Sequence, residues 1–392
     1  MKPVCITGAS RSNDQLLYFT SSSLTSDDRW LVFISDRLGD PNLFAMDLHS
    51  GQEHLLTDNH DGTLKSYVYF DGNPNRGLGK ASVSLHSQSG TVYYLQGDDI
   101  CAVDLTGSRR VLAQVPAGQV TAFTHVSLDG SRLCVPTTDA RALEAGSLVN
   151  GRPDYDIDER VQRENLASTL HVYDTRTGRE ILSEPVPRAW ITHVQFCPAE
   201  NDLILYNHEW SAESGIRRIW LFDGRSRKHI RMRAEGEGRS RKDWVCHEVW
   251  DKDGRAIIYH GGFDGGAYFV GKVKRDGSDR VEVGFPPDFR KYGHFNISPA
   301  GLLVGDGYYQ EPQEESLAGV RNEFRGGEWI SLQKVDWAQA RMEWMPLCKH
   351  GSSWENQDCH PHPIFNHAGS AVYYTSNTGG RRAIYRVEVL PF

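Results

Sequence analysis

The chain has 392 residues, 39% of them hydrophobic and 24% charged, with 38 glycines and a formal net charge of −8. This acidic balance excludes a general electrostatic affinity for nucleic acid or anionic lipid, so an anionic ligand has to meet locally placed positive charge. No apolar run is long enough for a secretory signal or a membrane span. The seven cysteines lack CxxC spacing, and together these features predict a protein of the reducing cytoplasm.

Taken in chain order, the elements repeat. "DDRWLVFISDRLGDPNLFAMDLHSGQEHLLT" (27–57) reads as three short strands joined by turns. Similar triplets recur at 90–115, 130–185, 201–232, 254–283, 301–347 and 369–392, which makes seven units. A further short strand precedes the triplets, as in "THVSLDG" (124–130), "THVQFCPAEND" (192–202), "CHEVWDKDG" (246–254), "GHFNISPAG" (293–301) and "HPHPIFNHAG" (360–369). Four strands per unit at this spacing predict an all-β, seven-bladed β-propeller forming a single domain over 1–392. The last unit lacks its fourth strand, and "PVCITG" (3–8) is expected to supply it and close the ring. Two charged segments, 140–165 and 310–327, interrupt the regularity as surface insertions.

In a propeller the first strand of each blade lines the central channel. Five consecutive first strands open on a histidine: His125, His193, His247, His294 and His360. His360 and His362 are two residues apart, so on a strand they would share a face. Gln357 precedes them with an amide oxygen, and His294 would join them from the neighbouring blade. Three imidazoles and an amide suit manganese, zinc, cobalt or nickel better than calcium. Because these ligands are neutral, a cation held by them keeps its full charge for an anionic substrate. In "YNHEW" and "IRRIW", His208, Glu209 and Arg218 sit on the strands and connection of one blade. An arginine there is suited to pairing with a carboxylate, and a histidine not used as a ligand, such as His247, is suited to base chemistry near neutral pH.

The "QDCHPHPIF" segment, the "CHEVWDKDG" and "GHFNISPAG" strands, and "NHEW" with "RRIW" resemble the oligogalacturonate lyases, over essentially the whole chain. The resemblance implies a seven-bladed propeller that binds Mn2+, or another divalent first-row metal, through His294, Gln357, His360 and His362. It places the catalytic base on His247 and the arginine for the substrate carboxylate on Arg218, beside Arg217. His125, His193, His208 and Glu209 are candidates for substrate contact. The implied reaction is β-elimination from di- and trigalacturonate to 4,5-unsaturated uronates, in a monomer or homodimer with no nucleic-acid or membrane partner.

Two other readings fit a propeller: a lyase for a different uronic acid, and a non-catalytic binding module. Histidines facing the channel argue against the second. A peptidase propeller would need a G-x-S-x-G elbow in a separate domain, and a lactonase-type propeller would need clustered oxygen ligands for calcium; the sequence offers neither.

Overall fold

The computed structural model describes residues 2–7, 12–60, 82–143, 148–149, 152–153, 157–209, 218–233, 244–262, 268–285, 289–309, 327–354 and 357–390. These residues form seven antiparallel sheets of meander order, the blades of a seven-bladed β-propeller. They fall into two compact units, one of residues 15–234 and the other of residues 1–14 and 235–392.

The first unit carries four blades, whose first strands are Asp14–Leu16, Ser84–His86, the pair Gln119–Thr121 and His125–Val126, and Val194–Cys197. In the third blade both short segments pair with Arg132–Asp139, so they share the first position. The core lies between adjacent blades because both faces of the middle strands are covered. Asn42–Asp47, "NLFAMD", is buried at every position. Its Leu43 and Ala45 pack with Val32 and Ile34 against Leu85, Val92 and Tyr94 of the next blade. Each of the leucine, isoleucine and valine side chains contributes roughly 1.5–3 kcal/mol of burial. Outer strands face solvent on both sides, and Arg109–Gln114 is largely exposed.

Hairpins into the outer strands reuse one device, an aspartate whose carboxylate accepts backbone N–H groups of the turn. Asp47 Oδ1 takes those of His49 and Ser50, and Asp174 Oδ1 takes that of Thr177. At the end of the second turn stands Gly178, with φ of +73°, where a Cβ would lie 1.9 Å from the carbonyl oxygen of Leu112. No other residue fits there without moving the adjacent blade.

The second unit carries three blades, with first strands Trp244–Trp250, Phe289–Ile297 and Ile364–Phe365. The expected fourth strand of the last blade is present. Val4–Cys5 pairs with Ala383–Glu388 in the register Val4 to Arg386 and Cys5 to Tyr385, completing the last blade. Of the two insertions, 140–165 contains a 3-10 turn, a two-residue hairpin and a helix at Ile157–Arg163, whereas 310–326 lies outside the described residues. Among the described residues no helix is long and apolar enough to cross a membrane, and no disulfide joins the cysteines.

Candidate metal centre

Strand Phe289–Ile297 loses its regular pairing between Tyr292 and Phe295, and His294 sits in that irregular stretch. The strand that follows, Leu303–Tyr309, places one carboxylate against it. Asp306 is fully buried, and its Oδ1 accepts the backbone N–H of His294 at 2.6 Å. Its Oδ2 lies 3.0 Å from His294 Nδ1 and accepts the backbone N–H of His362 at 3.3 Å. One side chain thereby ties together two histidines from different blades. Burial raises the Asp306 pKa, and the hydrogen bond from the His294 N–H opposes that rise.

The segment carrying His360 and His362 differs from expectation. Both residues precede strand Ile364–Phe365 instead of lying on it, after a 3-10 turn at Gln357–Cys359. Pro361 and Pro363 flank His362 and cannot donate to a ladder, which keeps the segment out of the sheet. Instead the Pro361 carbonyl accepts the N–H of Thr375, and His362 adopts φ of +45°, a left-handed conformation rare for a side chain with a Cβ. The convergence predicted from strand alternation is therefore achieved by a strained coil.

His294, His360 and His362 each offer a ring nitrogen, and these atoms all lie within 4.8 Å of one another. The His294 and His362 ring centroids are 3.9 Å apart, those of His294 and His360 5.3 Å. Trp354 walls the group, stacking parallel to His294 and tilting against His360. Nδ1 of His294 is turned to Asp306, which makes Nε2 the ring atom suited to ligation in the usual carboxylate–histidine–metal arrangement. The donor set and its carboxylate support therefore fit a first-row divalent cation. Gln357 opens the 3-10 turn, and its side chain is outside the described residues.

His247 lies beside this group, its ring centroid 4.5 Å from that of His294. The ladder of Trp244–Trp250 with Ala256–Gly262 pairs Cys246 with His260 and Glu248 with Tyr259, leaving His247 as an extra residue with φ of +43°. This bulge turns the imidazole out of the strand's alternation. Nδ1 of His247 lies 3.1 Å from the Gly293 carbonyl oxygen and 2.8 Å from His260 Nε2. A carbonyl can only accept, so Nδ1 carries the proton and Nε2 keeps its lone pair, the arrangement a general base needs.

The other candidates fall in the first unit. Glu209 and Arg218 are both buried and paired at 2.9 Å, and Glu209 Oε2 also accepts from Thr192 Oγ1 and Asn207 Nδ2. Burial acts to raise the Glu209 pKa, but Arg218, His193 and the Thr192 hydroxyl hold it down to about 2. His193 Nδ1 is 3.4 Å from Arg218 Nη2, and its Nε2 is 3.4 Å from the hydroxyl of Tyr18. His208 is packed against Trp220 and Tyr206. Burial, with a smaller contribution from His229, pushes its pKa down to about 4. His125 Nδ1 accepts the Phe196 N–H, a structural contact between blades.

Reading the sequence alone misses Asp306, His260, Tyr18, Trp354 and the carbonyl of Gly293. Asp306 left a signal: a single carboxylate inside "GLLVGDGYY", an otherwise uncharged strand, has to be satisfied by a specific partner.

Two expectations follow from this geometry. A Cβ on Gly293 would lie 2.3 Å from Asp306 Oδ1, so Gly293→Ala should displace the carboxylate and weaken metal binding by about tenfold or more. Unaltered affinity in a metal titration would contradict that. Between pH 6.5 and 4 the unfolded chain protonates His208 while the folded chain does not. Stability should therefore fall with pH across that window by up to about 3 kcal/mol. In His208→Gln the urea-unfolding profile should be correspondingly flatter; parallel profiles would show that His208 is not the group responsible.

No protein-family model matches the chain. It is 25% identical over 209 residues to an oligogalacturonide lyase of Pectobacterium atrosepticum, covering 51% of this chain and 50% of that one. It is 24% identical over 229 residues to an oligogalacturonate lyase of Dickeya dadantii, covering 55% and 54%. The chain thus spans about half the length of the curated relatives it matches. Among solved structures, an oligogalacturonate lyase in complex with manganese superposes with a TM-score of 0.75 at 19% identity, over 99% of this chain and 96% of that one. An oligogalacturonate lyase from Vibrio parahaemolyticus gives 0.76 at 19% identity, with the same coverage. At that identity the structural likeness carries the propeller fold, and the curated relatives add a sequence likeness within it. Together they support the resemblance of this chain to the oligogalacturonate lyase family.

Proposed function

We propose that the protein is a metal-dependent lyase that cleaves short oligogalacturonates by β-elimination, giving 4,5-unsaturated uronate products. The observation that carries this reading is the pairing of a three-imidazole group, backed by Asp306, with a bulged histidine whose Nδ1 is held by a carbonyl. A site that removes a proton next to a carboxylate needs both parts. The C5 proton of a galacturonide is alpha to the C6 carboxylate and only weakly acidic, and its removal builds negative charge onto the carboxylate oxygens.

A divalent cation held by His294, His360 and His362, with Gln357 as the fourth ligand implied by the resemblance, supplies positive charge where that negative charge develops. Manganese is the assignment, by likeness to the manganese-bound relative. His247 would take the C5 proton at Nε2; the C5–H electron pair becomes the C4–C5 double bond, the C4–O bond to the leaving sugar breaks, and that oxygen takes a proton from solvent. The Gly293 carbonyl accepts from Nδ1–H, which fixes the tautomer, and the bulge fixes the direction of the ring. General-base catalysis of this kind typically contributes ~10²–10⁴-fold. Arg218 keeps the role that the resemblance gives it, binding a substrate carboxylate. Within its own unit Glu209 orients the guanidinium, and Thr192 and Asn207 hold Glu209 in turn.

The decisive assay follows the ultraviolet absorbance of unsaturated product from trigalacturonate, with protein as purified, after chelation, and after manganese is restored. The absorbance should vanish on chelation and return with manganese. His247→Ala should lower turnover by ~10²–10⁴-fold while still binding the metal. No absorbance from metal-loaded protein would overturn the substrate assignment and direct the search to other uronides. Turnover of His247→Ala within a few-fold of the parent would remove His247 as the base.

A further inference from the structure

A second group of metal-binding side chains lies one blade away from the three histidines, and the proposed reaction does not use it as such. The sulfur of Cys246 and one ring nitrogen each from His247 and His260 all lie within 4.8 Å of one another. We propose that Cys246, His247 and His260 form a distinct site for a thiophilic divalent cation such as zinc.

The backbone explains the convergence. Cys246 and His260 are directly opposite across the ladder, so their side chains share one face of the sheet. His247 would ordinarily point to the other face. The bulge adds it as an unpaired residue with φ of +43° and brings its Nδ1 to 2.8 Å from His260 Nε2. His247 and His260 are buried, and Cys246 is half-buried.

The donor chemistry separates this group from the manganese candidate. One thiolate and two imidazoles make a three-ligand zinc set with one position left for water. A soft sulfur ligand favours zinc or cobalt over manganese, whereas three imidazoles discriminate less. The thiolate also cancels one of the cation's two charges, which reduces repulsion from a second cation at the neighbouring histidines. On binding, the Cys246 thiol proton leaves to solvent. For His247 to ligate through Nδ1, the proton on Nδ1 has to move to Nε2 and the hydrogen bond to the Gly293 carbonyl is given up.

That tautomer has a consequence, which rests on the reading of His247 as the base. Nε2 is the atom required to accept the C5 proton, so a cation bound here inhibits elimination even when the manganese site is full. Zinc would then act in opposition to manganese.

The test uses the manganese-loaded protein and cobalt(II) as the probe, because a thiolate bound to cobalt gives a near-ultraviolet charge-transfer band that imidazole ligands do not. A band that saturates at one cobalt per chain and is removed by zinc is expected in the parent. It should be lost in Cys246→Ser and in Cys246→Ala, and kept in His360→Ala. No band in the parent, or an undiminished band in both Cys246 variants, would overturn the site. Zinc should suppress lyase turnover in the parent, with about tenfold or more zinc required in Cys246→Ser. Because the cobalt band is independent of turnover, failure of the lyase assignment leaves the site itself decided.

Discussion

The three-histidine group depends on a carboxylate that solvent does not reach. Asp306 accepts the backbone N–H of His294, faces its Nδ1, and accepts the backbone N–H of His362. Burying a carboxylate is costly unless every oxygen finds a donor, and here the donors belong to the residues that need positioning. The side chain satisfies its own desolvation only when both ligand segments are in place. Gly293 is part of the same arrangement, since a Cβ at that residue would meet Asp306 Oδ1 and its carbonyl faces His247. A single buried group thus links the ligand geometry to the tautomer of the proposed base.

Around it the backbone is strained in a localised way. His247, Trp354 and His362 all have positive φ without being glycine, and conformations of this type cost on the order of 1–3 kcal/mol each. Other non-glycine residues with positive φ, such as Arg227 and Ala340, occupy hairpin turns, where the strain serves only to reverse the chain. Near the histidines it re-aims side chains. Nearby backbone holds these conformations, through the Gly293 carbonyl beside His247 and the Thr375 N–H at Pro361, which is why a regular repeat can tolerate a bulge and a proline-flanked coil at the site.

Much of this was legible in the sequence, for reasons that particular residues make plain. Buried strands such as "NLFAMD" and turns that begin on an aspartate and end on a glycine mark the repeat, and the missing fourth strand of the last unit pointed to "PVCITG" at the N-terminus. The histidines proposed as ligands stood out through their spacing and repeat position. What the sequence concealed were the departures from regular geometry. Alternation put His360 and His362 on a strand, while Pro361 and Pro363 forced them off it. The bulge at His247 has no glycine to announce it, and His260 reads as one more residue of an apolar strand until the register sets it opposite Cys246. Asp306 is distant in sequence from both segments that it joins.

Whether Asp306 organises the proposed metal centre through the two histidine segments it holds is decided by measuring manganese affinity calorimetrically for the parent and for Asp306→Asn. The amide keeps the size of the side chain but presents one acceptor where the carboxylate presents two. Affinity should fall by ~10–100-fold in Asp306→Asn with the fold retained. Equal affinities in the two proteins would contradict it and leave the three histidines to organise themselves.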